Sequence, residues 1–177
     1  MRLDEIVHAA YTLTLPVRAL DKTVRLKYDA FAAATGQFGF DRYRLAKGAG
    51  FVAAISLGVA SHLTGTATDL SVPTAYDILS LFGVITLPPM ADKMRQYNSL
   101  RQHMSDEWPE RFLNLTKFAR YALLIGVPVN LALKVNGIIS GDPISFGEVT
   151  LGIGYFAFMS YCYLISGGTV SSGQNKR

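Results

Sequence analysis

A chain of 177 residues with one cysteine is the size of a single domain and cannot form an internal disulfide. Half of its residues are hydrophobic and 17% are charged, so apolar and aqueous parts must share the chain. The net charge of +4 is interleaved with acidic residues and contains no run of five like charges, which argues against a nucleic-acid surface.

Residues 1–47 form the first polar block. The opening stretch MRLDEIVHAAYTLTLP carries acids early and has no uninterrupted apolar core, so a cleavable signal is not expected. Leu3, Ile6, Val7 and Ala10 recur at helical spacing. Beyond an expected break at Pro16, Val17, Leu20, Val24 and Phe31 form a second stripe, and Gly36 is a natural stop. Two amphipathic helices are therefore expected, lying on the inner leaflet or packing on another cytoplasmic segment.

Four apolar stretches follow: Ala49–Leu63, Val72–Leu87, Tyr121–Val135 and Val149–Ile165. Lys and Arg number eight before the first stretch, none between the first and second, and six between the second and third. One, Lys134, falls at the far end of the third stretch and two follow the fourth, which completes the 17. Basic residues near spans are retained on the cytoplasmic side, so this alternation predicts four transmembrane helices with both termini cytoplasmic. Each stretch covers only about 23–26 Å as a helix, short of a bilayer core of about 30 Å. Extension through snorkelling Lys47, Lys117, Arg120 and Lys134 is expected to make up the difference.

In the first span Gly50, Ala54 and Gly58 fall four apart, a ladder that lets another helix approach closely. The second is expected to start at Pro73 and to stop at Pro88–Pro89. After it, Met90, Met94, Tyr97, Leu100 and Met104 give a separate amphipathic helix. Its face either packs on the N-terminal helices or docks another protein. A further helix is expected from near Asp106, with Pro109 in its first turn, running into the third span. That span carries Gly126, Pro128 and Asn130, and Asn130 should face protein rather than lipid. Glu148 favours the start of the fourth span through the helix dipole. The division expected is thus 1–47 interfacial, 48–166 a four-helix membrane domain with a cytoplasmic helical loop at 90–112, and 167–177 a flexible tail.

Candidate chemistry is sparse. His62, at the outer end of the first span, and Asp77, one turn into the second, are expected at similar depth, where a facing pair can bind a proton or cation. Asn130 is the third polar residue within the apolar stretches considered for such a site. His8 and His103 have no second ligand at metal spacing, and Cys162 has no His–acid arrangement around it. No phosphate loop, dinucleotide fingerprint or nucleophile elbow occurs, so no catalytic residue, cofactor or metal is expected. The expectation is an all-α integral membrane protein that acts as an accessory, scaffolding or membrane-shaping component. Its partners would be the bilayer and a second copy or a membrane complex, with no nucleic acid. The alternative is a small oligomeric channel or transporter using His62, Asp77 and Asn130.

Overall fold

The structure, a computed structural model, describes residues 3–63, 75–100, 108–141 and 144–167. All regular structure among them is helical: α1 (Leu3–Gly36), α2 (Arg42–Leu63), α3 (Ala75–Leu100), α4 (Trp108–Ile139) and α5 (Phe146–Ser166). The expected stop at Gly36 matches the end of α1, and Pro109 lies in the first turn of α4 as expected. Pro73, Asp106 and the tail beyond 167 lie outside the described residues.

Two expected breaks are absent. α1 runs through Pro16 as one helix, and α3 runs through Pro88 and Pro89 to Leu100. A proline inside a helix removes one backbone bond and crowds the preceding turn, at a cost of roughly 3 kcal/mol. Tertiary contacts hold α3 together across that defect. Tyr161 Oη of α5 donates to the Leu87 carbonyl at 2.9 Å, just before the prolines. Just after them Ala91 and Met94 are fully buried, and Asp92 pairs with Lys47 of α2 at 2.6 Å. The second apolar stretch and the helical loop at 90–112 are therefore not separate elements up to Leu100.

Registers between helices fix the topology. Along α2, a Cβ placed on Gly50 would lie 3.0 Å from Leu87, Gly58 faces Ser80, and Ala54 faces Gly83. The α3 partner numbers fall as the α2 numbers rise, so the two helices are antiparallel. Gly50 also meets Tyr161, and Ser56 meets Gly154, which makes α2 and α5 antiparallel too. Arg120 meets Ser166 and Lys134 meets Glu148, so α4 runs against α5. The most extensive contacts join α2 to α5 and to α3, and α4 docks on α5. The lateral order is α3–α2–α5–α4, with α1 laid against α4, α5 and α2 at one end.

That end holds the basic blocks. The start of α2, the end of α3, the first half of α4 and the end of α5 meet there. The opposite end holds His62, Asp77, Lys134 and Glu148. Among the described residues, two segments are long and apolar enough to cross a bilayer, Arg111–Asn136 in α4 and Phe146–Ser166 in α5. α2, with many small residues and three cations near its start, and α3, with two prolines and a charged second half, do not meet the same measure.

Candidate functional site

The densest polar assembly lies where α1, α4 and α5 meet. Along α1 the inward residues are Asp21, Val24, Arg25, Tyr28 and Ala32, the three- and four-residue spacing of one helical face. Asp21 is buried there, and so is Arg120 of α4, which is only 4% exposed. The guanidinium grips the carboxylate with both ends of a fork: Nε to Oδ1 at 2.9 Å and Nη2 to Oδ2 at 3.2 Å. Its remaining Nη1 donates to Ser166 Oγ at the end of α5. Tyr163 Oη donates to the same Asp21 Oδ1 at 2.9 Å. The Tyr163 ring lies 5.1 Å from the Arg120 guanidinium and stacks on Tyr28 with centroids 5.0 Å apart.

Arg25, Arg42 and Asp29 close the junction. Arg25 Nη2 donates to the Ser166 carbonyl at 2.8 Å, and Arg42 pairs with Asp29 at 2.6 Å. Burial holds the Arg25 pKa below its ordinary value, opposed by the neighbouring Asp29. Three guanidiniums thus face two carboxylates. The excess positive charge sits at the C-terminus of α5, where the helix dipole presents negative charge. This is a structural use of arginine: it binds one helix to two others.

The junction corrects one expectation. Arg120 does not snorkel to an interface. An unpaired buried guanidinium is costly to desolvate, and here a bidentate carboxylate, a hydroxyl and an aromatic face compensate it. Lys117, three residues earlier, is exposed. No spacing rule points to Asp21 and Arg120 as partners, because they are 99 residues apart. The signal available was an acid lying among basic residues on a predicted amphipathic helix.

The expected small-residue ladder is a seam between α2 and α3. A Cβ on Gly58 would sit 2.8 Å from Ser80 Oγ, and one on Gly83 would sit 2.9 Å from the Ala54 Cβ. Ser80 Oγ donates to the Ala54 carbonyl at 2.6 Å. The backbones are therefore close enough for a side chain to bond across them.

The methionine-rich face is largely internal. Met94 is fully buried and Tyr97 is buried, in one cluster with Ala32, Ala46, Tyr161, Cys162, Leu164 and Ile165. Neither is available to dock another protein, because α1, α2 and α5 already cover them. Met90 is half-buried, and the Leu100 side chain and Met104 lie outside the described residues.

His62 and Asp77 come together at the opposite end, with Nε2 3.1 Å from Oδ1 and both side chains partly exposed. Asn130 lies on α4, whose principal partners are α5 and α1, and its side chain lies outside the described residues. Glu148 closes a capping box with Ser145 at the start of α5, donating nothing and accepting from the Ser145 N–H at 3.1 Å. Its other oxygen accepts from Lys134. No group of His, Cys, Asp and Glu fit to hold a metal occurs among the described residues, with His8 and His103 side chains outside them.

Apolar cavities open on the flanks of the bundle. One, of about 350 Å³, lies among α2, α3 and α5 beside Gly83, Phe82 and Gly154. Another, of about 540 Å³, lies between α4 and α5 beside Gly126 and Gly152. Comparison with protein-family models, with curated proteins and with solved structures gives no match to this chain.

Proposed function

We propose that the chain is an integral membrane protein of four spans, α2 to α5, with both termini on the cytoplasmic side, and that it acts as a non-enzymatic scaffolding component. The observation that carries the membrane reading is a belt of large apolar side chains pointing outward. Phe51, Val52, Ile55 and Val59 of α2 are exposed, as are Ile78, Leu81, Phe82 and Ile85 of α3. Leu115, Phe118, Ile125 and Val129 of α4 and Val149, Ile153 and Phe156 of α5 continue the belt. Exposed apolar area on this scale marks a membrane or a protein partner, and it runs along α2 to α5, with Leu15, Leu20, Leu26 and Phe31 of α1 exposed as well. The basic residues gather at one end, as retention on the cytoplasmic side requires.

The scaffolding reading is supported by what the buried polar groups do. Asp21, Arg120, Tyr163 and Ser166 bond one another and hold three helices together. The test is purification in mild detergent with light scattering, followed by proton and cation flux in proteoliposomes. A defined homo-oligomer or stoichiometric complex without flux is expected. A lone monomer with no associated protein contradicts the scaffold.

The His62–Asp77 contact keeps the second reading, an oligomeric channel or transporter. That reading gains if pH-dependent flux occurs and is lost in Asp77→Asn at unchanged oligomer size.

A further inference from the structure

We propose that the fissure between α4 and α5 binds one acyl chain of a phospholipid whose phosphate is held by Lys134. The inference rests on the membrane reading above and adds a ligand class and a site to it.

The two helices are pinned at both ends and parted between them. Arg120 and Ser166 close one end, and Lys134 and Glu148 close the other. Between these clasps Gly126 and Gly152 face empty space, and a Cβ on either would meet nothing within 4 Å. Two residues further along α5, Gly154 does the opposite: a Cβ there would lie 3.0 Å from Ser56 of α2. Gly154 serves close helix packing, whereas Gly126 and Gly152 leave room. The resulting cavity is about 540 Å³. From Ala122 to Lys134 it extends over twelve residues, or roughly 18 Å along α4, a length suited to a long acyl chain. Leu131, Val135 and Val149 on its margin are exposed, so it opens to whatever surrounds the bundle.

The polar end selects the ligand. Lys134 lines the mouth of the fissure, with its side chain 51% exposed. Glu148 holds the ammonium there and is itself fixed by the Ser145 N–H, so the cation is positioned rather than free to wander. An ammonium has three donors and one reaches Glu148, which leaves capacity for a phosphate oxygen. The slot has acyl length and ends in a positioned ammonium beside the Glu148 carboxylate, and a phospholipid phosphate can share that ammonium in an ion pair that a neutral lipid cannot form.

Native mass spectrometry of the intact chain, released from detergent containing phosphatidylglycerol or diacylglycerol, tests this. The wild type is expected to retain phosphatidylglycerol and much less diacylglycerol. Gly152→Leu and Gly126→Leu fill open space, so they should fold normally and lower retention by roughly tenfold. Lys134→Gln should lower phosphatidylglycerol retention to the diacylglycerol level. Equal retention by wild type and both leucine variants overturns the proposal, as does equal retention of the two lipids by wild type. Extraction at alkaline pH separates the failures. A chain that stays in the membrane yet retains no lipid refutes the site alone, and a chain that is washed out refutes the membrane reading with it.

Discussion

The α1–α4–α5 junction and the α2–α3 seam hold the same bundle together by opposite means. At the junction a buried guanidinium and carboxylate, 99 residues apart, are satisfied by each other, a tyrosine and a serine. Along its middle the seam carries no charge, and the Lys47–Asp92 and His62–Asp77 pairs lie towards its two ends. Gly50, Ala54 and Gly58 lie close against Leu87, Gly83 and Ser80, and the Ser80 hydroxyl bonds across. The first depends on every partner being present, because a buried charge left alone is heavily penalised. The second depends on volume, because close backbone approach tolerates no added side chain. The two regions should therefore fail differently when altered.

The largest effect is expected at the junction. Arg120→Leu leaves Asp21 buried without its cation and should destabilise the fold by about 3–5 kcal/mol. Adding Asp21→Leu should recover part of that loss, since no lone charge then remains. Thermal unfolding of both variants in one detergent checks this, and a double variant less stable than the single one breaks the argument.

Overpacking the seam should come next. Gly58→Leu and Gly83→Leu each force α2 and α3 apart and should cost about 1–3 kcal/mol. Because the contacts at Gly58 and Gly83 are steric and uncharged, the loss should be the same in low and high salt. Tyr163→Phe, which removes one donor to Asp21 but leaves Arg120 in place, should cost on the order of 1–2 kcal/mol. The smallest effect belongs to Lys47→Ala. Its pair with Asp92 is more than a third exposed on both sides, so the loss should stay below about 1 kcal/mol and vanish in salt. A Lys47→Ala loss as large as that of Arg120→Leu would erase the distinction between buried and exposed pairs.

The same comparison explains what the sequence made legible. The seam could be read because its signal lies within one helix: small residues spaced four apart mark a face, and the face found its partner. The facing of His62 and Asp77 could be read for a similar reason, since a short connection joins the ends that carry them. The junction could not be read, because nothing local to Asp21 names Arg120. Arg120 looks like any cation at the edge of an apolar stretch until α1 brings a carboxylate to it. Pro88 and Pro89 misled for a related reason. Local propensity predicts a stop, and the contacts that override it come from Tyr161 and Lys47 on other helices. The methionine stripe was legible as a face, but only the fold shows that the chain itself covers Met94 and Tyr97.

The central claim is that the bundle crosses a bilayer with its basic end inside. Ser99, at the end of α3, and Ser140, just past α4, are exposed and lie at opposite ends of the bundle. Cys162 is buried, so a cysteine introduced at either serine can be labelled against a quiet background. The most direct measurement is labelling of Ser99→Cys and Ser140→Cys in intact cells by a membrane-impermeant maleimide, before and after permeabilisation. The account predicts that Ser140→Cys reacts from outside and Ser99→Cys only after permeabilisation. Reaction of both from the same side would contradict it.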